Sequence, residues 1–187
     1  ENIKKEIPEL PDQKKNRFIE KFKLNPYEAT ILVSDLETSN FFEKVIEKSD
    51  VKLSANWITG ELFALLNENN LEISESPISP ENLSKLINLI SDGTISGKIA
   101  KTIFEIMSKE DKDPNIIVEE KGLKQESDPK ALEDLIQKVL SSNKDKVNEF
   151  KSGKDKLFGF FVGQVMKESK GKGNPQMINK ILKEKLN

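Results

Sequence analysis

The chain repeats short apolar stripes at helical spacing, separated by polar surface. Leu83, Leu86, Ile87 and Ile90 fall at i, i+3, i+4 and i+7, and Leu132, Leu135, Ile136 and Val139 repeat the pattern. Each stripe predicts a helix that buries one side and wets the other. The stretch from 51 to 69 carries Leu53, Trp57, Ile58, Leu62, Leu65 and Leu66, wide enough to be central to a first core, with Trp57 as its anchor. Asn25-Pro26, Ser79-Pro80, Asp113-Pro114, Asp128-Pro129 and Asn174-Pro175 each set a capping side chain before a proline suited to a first helical turn. Helices are therefore expected at about 11–23, 26–33, 36–48, 51–69, 80–91, 96–109, 114–121, 129–142, 144–151, 154–169 and 175–186, and no strand is expected. The fold class is all-α.

Two polar breaks, Ser108 to Pro114 and Lys121 to Pro129, interrupt the patterned helices and suit a hinge. They predict a helical domain over 1–118 and a small helical tail domain over 119–187. Composition agrees with slender helical layers: 35% of the 187 residues are hydrophobic and 33% are charged. Cysteine and histidine are absent, which removes thiolate nucleophiles, disulfides, imidazole acid-base chemistry and the usual transition-metal ligands. No metal site is expected. No apolar run approaches a membrane span and no signal-peptide h-region opens the chain, so the expected setting is soluble and cytoplasmic, with no membrane partner. The first residue is Glu1 rather than Met, which suggests a fragment of a longer protein.

Charge divides the chain unevenly. From Lys151 onward nine lysines face only Asp155, Glu168 and Glu184, although the whole chain carries −2. A basic end on an acidic chain suits a polyanion, which the acidic remainder keeps from binding indiscriminately. Arg17 is the only arginine and few aromatics interleave the polar faces, so base-specific readout is not expected.

Several short motifs admit two readings. Gly93-Thr94-Ile95-Ser96-Gly97-Lys98 resembles a phosphate loop but is one residue short, has Ile99 in place of the magnesium-binding hydroxyl and follows no strand. It reads either as a helix end at Gly93 followed by an N-cap at Ser96, or as a phosphate held at a helix N-terminus with Lys98 and Lys101 adding charge. Gly159 and Gly163 share a helix face in a run too short to span a membrane. They predict a tight contact with the helix at 175–186 and a loss of stability on Gly163→Leu. Lys167 to Pro175 reads either as a solvated turn between helices or as a phosphate-backbone contact, with its glycines open to positive φ and Asn174 placed to cap the next helix. Ser-x-x-Lys matches such as those at Ser49, Ser127 and Ser141 are about as frequent as chance gives, and Glu119 and Glu120 point to different helix faces. No catalytic constellation emerges.

Taken together, Leu53 to Ile58, Ser76 to Pro80, Asp92 to Lys101, Val118 to Leu123 and Val162 to Lys167 resemble the C-terminal half of the B subunit of the tRNA-dependent amidotransferase family, in order and at natural spacing. The resemblance implies a helical domain followed by a YqeY-like tail that reaches along tRNA to its outer corner. It also implies a parent complex that uses ATP, magnesium and glutamine as amido donor to convert Glu-tRNA(Gln), Asp-tRNA(Asn) or both, as an ATP-dependent carbon-nitrogen ligase. The A and C subunits would be met through an N-terminal domain this chain lacks, and the chain itself would hold no cofactor and no catalytic residue. By the same resemblance, RNA contacts fall at Lys98 and Lys101 and at Lys167, Lys170 and Lys172, with Lys154 and Lys156 added mainly on charge. The alternative is a protein-interaction or scaffolding module, or a stand-alone YqeY-like protein, without direct RNA binding.

Overall fold

The computed structural model describes residues 9–110 and 112–186; Asp111, within the first polar break, and Glu1 lie outside them. The described chain is all-α. It runs through α1 (Pro11–Phe22), α2 (Pro26–Leu32), α3 (Leu36–Ile46), α4 (Val51–Trp57), a π-helical turn (Ile58–Leu62), α5 (Phe63–Asn69), α6 (Pro80–Ser91), α7 (Gly97–Met107), α8 (Pro114–Glu120), α9 (Pro129–Ser142), α10 (Lys144–Lys151), α11 (Leu157–Glu168) and α12 (Pro175–Leu186). A 3-10 turn, Ile73–Glu75, precedes α6.

The five Xaa-Pro starts act as caps. Backbone amides donate to Asn25 Oδ1 from Glu28 (2.8 Å), to Ser79 Oγ from Asn82 (3.2 Å), to Asp113 Oδ1 from Asn115 (2.8 Å), to Asp128 Oδ1 from Lys130 (3.2 Å) and to Asn174 Oδ1 from Gln176 (3.0 Å). Each side chain satisfies an amide that the first helical turn leaves without a carbonyl. The predicted helix over 51–69 is α4, the π turn and α5 in unbroken succession.

The chain gathers into two compact units. Unit 1 takes the described residues of Glu1–Ser91 with Thr102–Ile116, and unit 2 those of Asp92–Lys101 with Ile117–Asn187. In unit 1, α3 packs on α4 and α6, and α1 on α2. Phe18, Leu32, Phe42, Ile58, Leu62, Leu83, Leu86 and Ile87 are fully buried there. Trp57 is buried and its ring centroid lies 5.6 Å from that of Phe104, as an anchor should. A polar clamp closes one side: Arg17 bridges Glu9 and Glu43, and Lys14 Nζ reaches Glu43 (3.0 Å) and Ser39 Oγ (3.1 Å).

In unit 2, α9, α10, α11 and α12 pack on one another. Their core is Leu132, Ile136, Val139, Leu140, Phe161, Val165, Ile178, Leu182 and Leu186. Here the structure corrects an expectation. Gly159 and Gly163 do not meet α12: both are exposed, and a Cβ built on either finds nothing within 4 Å. The reason is helical phase. Phe161 and Val165 take the core side, and residues two positions away point about 200° around the helix, toward solvent. Gly163→Leu therefore obstructs nothing inside the fold. Each glycine instead costs the helix about 1 kcal/mol relative to alanine.

Candidate nucleic-acid interface

The last turn of α11 and the first of α12 are joined by a closely tied loop. Lys170 and Gly171 both take left-handed backbone, φ 54° and 78°, which reverses the chain after α11. The Gly171 amide then donates to Met166 O (2.8 Å), Lys172 to Ser169 O (3.0 Å) and Gly173 to Ser169 Oγ (3.1 Å). Gly173 is required for closeness: a Cβ there would stand 2.6 Å from Ile178 Cδ1 and 3.0 Å from Ser169 Oγ. Asn174 starts α12 by accepting from the Gln176 and Met177 amides.

A second segment is laced to this loop. Glu126 N donates to Lys172 O (2.6 Å) and Asn174 N donates to Glu126 O (3.0 Å), forming an isolated parallel bridge between Glu126 and Gly173. Gln125 N in turn donates to Thr94 O (2.7 Å). Three stretches distant in sequence, around Thr94, Gln125 and Lys172, are thus stitched by main-chain hydrogen bonds inside unit 2. Around Thr94, Gly93 takes φ 77° and the Ser96 hydroxyl accepts from Ile99 N (3.3 Å), so the loop-like motif is a turn followed by a capped start of α7.

All seven lysines singled out in the sequence belong to unit 2. Lys98 and Lys101 are exposed on the first turns of α7, beyond the stitched Thr94. Lys167 lies in the last turn of α11, and Lys170 and Lys172 sit in the tied loop, Lys172 half-buried. Lys156 precedes α11, exposed. Among the described residues, Lys98, Lys156, Lys167, Lys170 and Lys172 make no ion pair, so their ammonium groups face solvent unneutralised. Lys154 differs: it pairs with Glu149 (2.9 Å), and its hydrogen bond holds that carboxyl below the ordinary 4.5.

The structure adds lysines that the sequence pattern did not single out. Lys172 Nζ lies 4.0 Å from where a Cβ on Gly122 would stand, which brings the turn at Lys121 and Gly122 to the same group. Lys121 and Lys124 are both exposed and make no ion pair among the described residues. The pair Lys121-Gly122 repeats the Lys170-Gly171 and Lys172-Gly173 pairs of the tail loop, a signal that was present in the sequence. Unit 2 holds seventeen lysines against twelve acidic residues, a balance of +5, which leaves −7 on unit 1.

Elsewhere the surface is grooved rather than hollow. One groove of about 370 Å³ between α9 and α12 is lined by Glu133, Lys180, Glu184 and Lys185, with Lys185 and Glu133 paired at 2.7 Å. Among the described residues no helix is long and apolar enough to cross a membrane, and no group of acidic side chains is placed to hold a metal ion.

Comparison with known proteins places the chain in a family. The family model described as the GatB domain matches residues 40–186. The B subunit of the aspartyl/glutamyl-tRNA(Asn/Gln) amidotransferase of Pelagibacter ubique is 68% identical over 190 residues, covering 100% of this chain and 39% of that protein. The B subunits of the same name from Ehrlichia chaffeensis and Rickettsia bellii are 51% and 52% identical, over 100% and 98% of the chain. The chain spans 39% and 38% of those two proteins, so it corresponds to well under half of each relative.

Proposed function

Because the chain belongs to the GatB domain family, we propose that it is the tRNA-docking portion of an amidotransferase B subunit. On this reading it grips the outer corner of tRNA through phosphate and shape, and so positions the acceptor end for chemistry done elsewhere in the parent protein. That chemistry is the conversion of Glu-tRNA(Gln), Asp-tRNA(Asn) or both by an ATP- and magnesium-dependent ligase taking ammonia from glutamine, with A and C subunits as partners. The contribution of this chain is orientation and binding energy rather than bond making.

The observation that carries the proposal is the stitching of Thr94, Gln125, Glu126 and Lys172 into one hydrogen-bonded frame. It gathers unneutralised lysines from three parts of the sequence on the one unit with net positive charge. Such a set attracts a polyanion through counterion release, with little dependence on base identity.

The test is a filter-binding titration of the 187-residue chain with tRNA across salt concentrations. Replacing Lys167, Lys170 and Lys172 together by Gln is expected to lower the log-log salt slope by about two, at roughly 0.7 to 0.9 per phosphate. An unaltered slope would remove these lysines from the interface. Equal affinity for tRNA and for an unrelated polyanion of matched charge would reduce the interaction to general electrostatics.

A further inference from the structure

The lysines at the two ends of α11 are not scattered around the helix. Lys156 at its N-cap and Lys167 in its last turn lie on one side, in phase with positions 159 and 163 at steps of three and four residues. Lys170 follows in the tied loop. All three are exposed, and among the described residues none is ion-paired, whereas Lys138, Lys154 and Lys185 in the same unit all are. Within α11 no acidic residue shares this side: Asp155 stands before the helix begins, and Glu168 lies around it toward α9, paired with Lys138 at 3.4 Å. Half-buried Phe160, four residues beyond Lys156, lies on the same side and carries Lys146 Nζ 4.7 Å from its ring centroid, a fourth ammonium beside it.

Beside Phe160, positions 159 and 163 on this side are glycines, with open space where a Cβ would stand. The fold has no use for glycine there: neither takes positive φ, neither meets a neighbour, and a helix interior is more stable with almost any other residue.

We propose that this side of α11 is the seat of an RNA sugar-phosphate backbone, with Lys156, Lys167 and Lys170 as the phosphate contacts and the glycines setting the depth of approach. The inference rests on the docking reading above and narrows it to one helix face. Side chains at 159 and 163 would hold the RNA away from the helix and lengthen every ammonium-phosphate distance along it. A protein helix can also nest on glycines, but a side carrying the unpaired ammonium groups of Lys156 and Lys167, followed by that of Lys170 in the loop and with no carboxylate between them on the helix, matches a polyanion in charge.

The experiment uses the 187-residue chain, an in vitro tRNA transcript and two variants, Gly163→Leu and the double variant Gly159→Ala with Gly163→Ala. The double alanine variant is expected to melt at a higher temperature than the parent chain, and Gly163→Leu no lower. Both should bind tRNA more weakly, Gly163→Leu by about tenfold or more, because lost phosphate contacts reduce affinity steeply. If the parent chain binds tRNA and both variants bind equally well, the inference is overturned while the docking reading stands, and the face is left to a protein helix. A fall in melting temperature for Gly163→Leu would also overturn it, since the fold itself would then need the glycine. If the parent chain binds no tRNA, the docking reading fails and this inference with it.

Discussion

Gly163 and Gly173 are ten residues apart and look alike in the sequence, yet they have opposite effects on the fold. Gly163 faces open space, whereas a Cβ at Gly173 would lie within 2.6 Å of Ile178 Cδ1, in the core of unit 2. Gly173→Ala is therefore expected to destabilise by about 1–3 kcal/mol, since a packed core must shift to admit it. Urea denaturation of the variant checks this, and an unchanged midpoint would show that the loop relaxes freely. A second residue-scale expectation concerns Glu43. Burial pushes its carboxyl up, but hydrogen bonds from Arg17 and Lys14 outweigh burial and hold it below the ordinary 4.5. A depressed carboxyl contributes stability above 4.5 that is lost as the pH falls below that value and through the folded-state one. Glu43→Gln should flatten that acid limb of the stability profile and lower stability at neutral pH. A stability-pH curve parallel to the parent's would argue against the clamp.

At the scale of elements, the helix starts were the most legible feature of the chain. Asn, Ser or Asp before Pro marks an end that needs an acceptor and a residue that lacks an amide, and all five such starts are capped as that chemistry requires. Asn174→Ala should remove two acceptor contacts from the first turn of α12 and cost about 1 kcal/mol. Asn174→Ser should recover most of the loss in the same denaturation assay, because its hydroxyl can accept in the same place. What periodicity did not reveal was the π turn at Ile58–Leu62. Its own buried residues, Ile58 and Leu62, and Trp57 just before it are apolar either way, and bonding five residues back leaves no separate mark on an apolar stripe. Periodicity also could not tell which side of α11 the glycines take. That phase is set by Phe161 and Val165 entering the core.

Across the molecule, charge follows the two units, +5 on one and −7 on the other. The excess on unit 2 predicts that tRNA binding responds to where lysines are removed, not merely to how many. Replacing Lys44, Lys48 and Lys109 of unit 1 by Gln lowers the net charge as much as replacing Lys167, Lys170 and Lys172. It should leave the salt slope of tRNA binding unchanged, where the tail variant lowers it by about two. Equal slopes in the two triple variants would mean that overall charge, and not a face of unit 2, governs association.

The amino-acid order alone determined the helices, their caps, the all-α class and the basic end, because each depends on neighbours three or four residues away or on composition. It also carried the resemblance that family membership confirms over residues 40–186. Only the tertiary structure decided which stretches meet. The hydrogen bonds from Gln125 to Thr94 and between Glu126 and the Lys172–Asn174 segment join residues 31 to 48 positions apart through main-chain atoms, which every residue but proline offers alike. No side-chain pattern encodes such pairing. The Glu126 bridge forms where the segment entering α9 meets the loop between α11 and α12, three helices that share one core.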